Sequence, residues 1–105
     1  MVKLYRKMRG LLRQELELAN KQNGDHFHSV HEAYGVIAEE NNEAWDESID
    51  THNKLNDLLS AIRENNRDKV LAAAKDIERH ATLAACEYVQ VAAMARKLRD
   101  SERRK

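Results

Sequence analysis

The sequence predicts an all-α protein, a small antiparallel bundle of four helices, and three observations carry that prediction. The 105 residues contain no proline and few aromatics, while about a third are charged. That balance suits long uninterrupted helices better than sandwiches or barrels. Apolar residues recur at helical spacing along most of the chain, and two polar clusters, "NKQNGDHFH" and "RENNRD", interrupt them. The length suits a single domain, residues 1–105, burying about 60–70% of the surface its unfolded chain exposes.

The first helix follows from Leu4, Met8, Leu11, Leu12, Leu16 and Leu18, which fall mainly on one side of a helical spiral through about Ala19. Gly10 weakens it without ending it. After the loop, Ser29 and Glu32 have the S-x-x-E spacing of a capping box, so Ser29 opens the second helix, which runs to about Asp46 or Ser48. Leu55, Leu58, Leu59 and Ile62 mark a third, shorter helix that "RENNRD" closes. A long final helix spans about Arg67 to Arg99, and no internal repeat is present.

Formal charge is zero, so there is no global basic field of the kind that marks a nucleic-acid binder. The one basic cluster, "RKLRDSERRK" from Arg96 to Lys105, sits where cations complement a helix C-terminus, with a phosphate or partner contact as the competing role. Cys86 is the lone cysteine, which excludes an intrachain disulfide and reads as a small packed hydrophobe in a reducing interior. No stretch resembles a signal core or a membrane span, so a soluble, cytoplasmic chain without a membrane partner is expected.

The acids of the second helix sort by angle. With Val30 at zero and about 100° per residue, Tyr34, Ile37, Asn41 and Trp45 cluster within a narrow sector that reads as the buried stripe. Glu32, Glu39 and Asp46 lie opposite it and face water. Glu40, Glu43 and Glu47 form one ladder along its edge. Like charges at this spacing repel, and either a hard divalent cation or basic side chains from another helix offset that repulsion.

The last helix holds "ATLAACEYVQVAAMA", Ala81 to Ala95, which is apolar or small nearly all round and reads as buried on most sides. Glu87 is its single charge. A carboxylate buried there has to be neutralised, paired or metal-bound. Gln90, three residues on, projects from nearly the same face. Two readings stand: a buried salt bridge and amide linking helices, or a metal site in which Glu87 meets the ladder.

These residues resemble a known family. "EENNE", Glu39 to Glu43, fits the EExxE motif of the all-α nucleotide pyrophosphohydrolases, the MazG-like and dimeric dUTPase superfamily, whose second motif is ExxD on a later helix. "EYVQ", Glu87 to Gln90, is the candidate for that second motif. "FHSVHEAYGVIAEENNEAWDE" followed by "EYVQVAAMARK" is similar to small phage and prophage-type members. The likeness covers the second and last helices well and the first loosely.

The resemblance implies a magnesium-dependent hydrolase, with manganese as a substitute ion, that cuts a nucleoside triphosphate between its α and β phosphates. It implies Glu40, Glu43 and Glu87 as metal ligands, with Glu40 or Glu43 accepting the proton of the attacking water. Gln90 stands where the family has Asp, which removes one negative charge. Glu47, one turn beyond Glu43, is a candidate to supply it. The resemblance also implies a homodimer or homotetramer.

Lys54, Arg63, Arg67, Lys69 and Lys75 are candidate phosphate contacts, although each reads equally as a surface charge. Trp45 reads as core before base-stacking platform. His26, His28 and His31 lack a standard zinc spacing and suit a cap or substrate contact better. The alternatives to an enzyme are a weakened relative kept as a nucleotide-binding or interaction module, and a plain helical assembly protein.

Overall fold

The computed structural model describes residues 2–105 and is all-helical. Three helices follow one another: α1 (Val2–Asn23), α2 (Val30–Arg63) and α3 (Arg67–Arg103). Among the described residues there is no strand, and no helix is long and apolar enough to cross a membrane.

The expected second and third helices are one. Between Ser48 and Leu55 the sequence "SIDTHNKL" lacks glycine and proline, and its hydroxyls bond inside the helix. Ser48 Oγ donates to the Ala44 carbonyl at 3.1 Å and Thr51 Oγ1 to the Glu47 carbonyl at 2.9 Å. Polar residues that often end helices by competing for the backbone are thus absorbed by it.

Helix boundaries are set by local chemistry. Gly24, at φ 83°, ends α1 in the left-handed region that glycine adopts without penalty. Ser29 caps α2, its Oγ accepting the Glu32 N–H at 3.1 Å. α2 ends in a Schellman motif: Asn65 is left-handed at φ 52°, its N–H bonds the Ile62 carbonyl, and the Asn66 N–H bonds the Ala61 carbonyl, each at 3.1 Å. Asn66 then caps α3, with its Oδ1 accepting the Lys69 N–H at 3.1 Å. Asn66→Ala is expected to cost about 1 kcal/mol in urea unfolding, whereas Asn65→Gly, which removes only the left-handed strain, is expected to cost nothing.

The chain forms two compact units, Met1–Asn41 with Glu87–Lys105, and Asn42–Cys86. In the first, Leu16, Phe27, Ala33, Ala93 and Met94 make the core, with Leu12, Ala19, Val36, Ile37 and Leu98 packed against it. The loop before α2 is tied to the end of α3. Ser101 Oγ accepts the Phe27 N–H at 2.9 Å and donates to the Lys97 carbonyl at 2.8 Å. Lys97 is buried with its Nζ 4.7 Å from the Phe27 ring centroid, and Arg104 pairs with Asp25 at 3.0 Å. His26 and Arg104 together hold the Asp25 carboxyl below its ordinary pKa. Several cations of the C-terminal basic cluster are therefore engaged within the chain.

The second unit is a helical hairpin. Along α2 the buried or half-buried positions are Ala44, Glu47, Ser48, Thr51, Lys54, Leu58 and Ala61; along α3 they are Val70, Ala73, Asp76, Ile77, His80 and Ala84. Spacings near three and four mark a seam between two long helices. Alanines and charged residues share this seam with Leu58, Val70 and Ile77, and Lys54 reaches Asp76 at 3.7 Å. Trp45, Ile49, Leu55, Leu59 and Ile62 lie exposed elsewhere on α2.

The buried stripe of α2 is therefore not the one expected. Tyr34 is 74% exposed and Trp45 58%, Val30 and Asn41 are exposed, and Ile37 is half-buried. The inner line is Ala33, Ile37, Glu40, Ala44 and Glu47, because small side chains let a neighbouring backbone approach closely. Nor is α3 buried on most sides throughout Ala81 to Ala95. Leu83 and Cys86 are exposed, and dense burial begins at Val89, where α3 lies in the core that α1 also supplies.

Candidate metal centre

Glu40 and Glu43 stand one turn apart on α2, Glu40 half-buried and Glu43 exposed, and Glu87 is half-buried on α3. Each offers a carboxylate oxygen, and these three oxygens lie within 4.8 Å of one another. Glu32, Glu39 and Asp46 are exposed, as their angles require.

Carboxylates gathered this closely repel, and a cation among them relieves the repulsion. The donor set is all hard oxygen, which suits magnesium or manganese better than zinc. Three protein ligands leave room in an octahedral shell for water and phosphate oxygens.

Gln90 and Glu47 have other partners. Gln90 Nε2 donates to Glu15 Oε2 of α1 at 2.7 Å, a contact across 75 residues of sequence. Glu47 Oε2 is 2.9 Å from His80 Nδ1, and Asp50 Oδ2 is 3.9 Å from the same nitrogen. A carboxylate only accepts, so Nδ1 carries the proton it shares with Glu47. Glu47, Asp50 and His80 form a second grouping of possible ligands, but with Nδ1 committed to Glu47 the geometry is that of a tie across the hairpin. If Glu40, Glu43 and Glu87 hold a metal, Glu47→Gln is expected to leave manganese affinity unchanged, as titration calorimetry would report.

Neither Glu15 nor His80 is singled out by sequence reasoning. His80 has a visible signal, since it continues the spacing of Ala73, Ile77 and Ala84. Glu15 has none, because it lies within an amphipathic helix like any other acid.

The expected phosphate cations are dispersed. Lys54 pairs with Asp57 at 3.6 Å as well as with Asp76, and Lys69 pairs with Glu64 at 3.0 Å; Arg63, Arg67 and Lys75 are exposed. His26 pairs with Asp25 at 3.2 Å, and His26, His28 and His31 belong to neither ligand grouping. Trp45 lines a shallow hollow with Ser48, Ile49 and His52.

Compared with known protein families, with curated proteins and with solved structures, the chain matches none of them.

Proposed function

We propose that the chain is a magnesium-dependent nucleoside triphosphate pyrophosphohydrolase of the MazG-like type, with Glu40, Glu43 and Glu87 as its metal ligands. The observation that carries this reading is the convergence of those three carboxylates from two helices far apart in sequence. They are the acids that the EExxE and ExxD resemblance selects.

When bound, magnesium would neutralise phosphate charge and lower the pKa of an attacking water. The exposed Glu43 is the carboxylate best placed to take up the proton of that water, while half-buried Glu40 and Glu87 hold their oxygens in a fixed arrangement. The products are a nucleoside monophosphate and pyrophosphate.

A second copy is the occupant we assign to the apolar side of α2. Trp45, Ile49, Leu55, Leu59 and Ile62 are large apolar side chains left exposed on one helix, and pairing two α2–α3 hairpins makes a four-helix bundle. A homodimer is the smallest such assembly, and a homotetramer is its next multiple.

A specific observation also favours a second reading. Gln90, in place of the family Asp, is tied to Glu15, which suits a weakened relative that binds nucleotide or a helical partner without turnover. Pyrophosphate release from a panel of nucleoside triphosphates, alongside thermal unfolding with manganese, separates the two. The enzyme releases pyrophosphate and the module does not, while both melt higher with metal. At ten times Kd the gain is about 1.4 kcal/mol, a rise of roughly 5–10 °C for a chain of this size.

A further inference from the structure

Within the Asn42–Cys86 unit the two sides of the hairpin differ in chemistry. One side carries a hollow lined by Asp57, Ser60 and Glu64 of α2 and by Lys69, Ala72 and Asp76 of α3, and each of its three carboxylates pairs with Lys54 or Lys69. At about 100° per residue, these residues lie to the same side of the seam on both helices. To the other side lie Trp45, His52, Leu55, Leu59 and Ile62 of α2 and Leu71, Ala74, Glu78, Ala81 and Ala85 of α3, all exposed. Ile62 and Val70 line one hollow there, which joins the two rows into a single face.

Both rows repeat at three and four residues, the spacing of helices that pack along their length. The α2 row is mostly large and the α3 row mostly alanine. Two contacts fix the register between them, Glu47 with His80 and Lys54 with Asp76. Carried along the antiparallel pair, that register sets Trp45 level with Ala85, Leu55 with Ala74, and His52, the imidazole of one row, with Glu78, the acid of the other.

A closed pair of copies buries the same patch on each, so the patch has to complement itself. A two-fold axis parallel to the helices keeps every level and lays α2 of one copy on α3 of the other. Trp45 then meets Ala85, Leu55 meets Ala74, and an imidazole meets a carboxylate. An axis across the helices lays α2 on α2 and α3 on α3 instead. That crowds large side chains together and leaves gaps between alanines, against the close packing of interiors.

We infer that two copies close face to face with α2 of each antiparallel to α3 of the other and His52 set against Glu78, an inference that rests on the second copy assigned above and specifies its interface.

The test is sedimentation equilibrium of the full chain and of Leu59→Arg, Ala81→Arg, His52→Glu and His52→Glu with Glu78→Arg, each checked for native helix content by circular dichroism. These side chains are exposed in the single chain, so its folding is expected to be unchanged. Ala81→Arg is expected to weaken the dimer about a hundredfold or more, as Leu59→Arg does, because each drives an unpaired cation into a packed face. His52→Glu sets like charges against each other and is expected to weaken it about tenfold or more; adding Glu78→Arg is expected to restore it.

A native chain that stays monomeric at every concentration overturns the inference together with the second-copy reading. A native dimer that Ala81→Arg leaves intact overturns the inference; the second-copy reading then stands if Leu59→Arg breaks the dimer and falls if it does not. Should Ala81→Arg fail to fold, a His52→Glu dimer as tight as the native one, or no recovery on adding Glu78→Arg, overturns the inference instead.

Discussion

Glu87→Gln is expected to abolish the manganese-induced rise in melting temperature and to lower pyrophosphate release by on the order of a hundredfold or more. The substitution keeps the shape of the side chain and removes one of the three charges that converge within 4.8 Å. An amide oxygen still ligates, but weakly, and the remaining pair of glutamates lies one turn apart on a single helix, where it cannot enclose an ion.

The competing interpretation, in which Glu87 is a partner in an interhelical ion pair, makes a different pattern. Breaking a half-buried pair lowers the melting temperature whether or not metal is present, and the native chain then gains nothing from manganese. The metal centre requires a native chain that responds to manganese and a variant that does not. Melting curves of both proteins, with and without the ion, are sufficient to distinguish them. A manganese response of native size in Glu87→Gln would exclude Glu87 as a ligand.

Phe27→Ala is expected to cost about 3–5 kcal/mol in urea unfolding, a large part of the roughly 5–15 kcal/mol that holds a domain together. The ring is 4% exposed, although it belongs to the connection between α1 and α2, not to a helix. Beyond leaving a cavity beside Leu16, Ala33, Ala93 and Met94, its removal takes away the aromatic face under the buried Lys97 ammonium. A desolvated contact of that kind contributes about 2 kcal/mol. Phe27→Leu keeps most of the volume and loses only the ring, so it is expected to fall between native and Phe27→Ala. A change below about 1 kcal/mol for Phe27→Ala would mean that the connection is not part of the core.

Helical character, the cap at Ser29 and the water-facing acids Glu32, Glu39 and Asp46 were legible in the sequence. All are properties of neighbours within a turn or two, and short-range spacing encodes them. The choice of Glu40 and Glu43 over Glu39 was legible for the same reason, since angle around a helix is local. The side of α2 that turns inward was not. A wheel weighs side chains by size and hydropathy and therefore selects Tyr34 and Trp45, whereas the helices pack through Ala33 and Ala44, with Glu40 and Glu47 between them.

The sequence by itself determined an all-helical chain, the two connections it has, although it also placed one after Ser48 that is absent, and which acids lie on one face. Only the tertiary structure decided that α2 runs unbroken to Arg63, that its large apolar residues stay outside, and that Gln90 meets Glu15 and Glu47 meets His80. Those pairings join residues 75 and 33 positions apart. Periodicity records which face a side chain occupies but not which distant face it meets, and that partner is selected by close packing of small residues along the whole length of the helices.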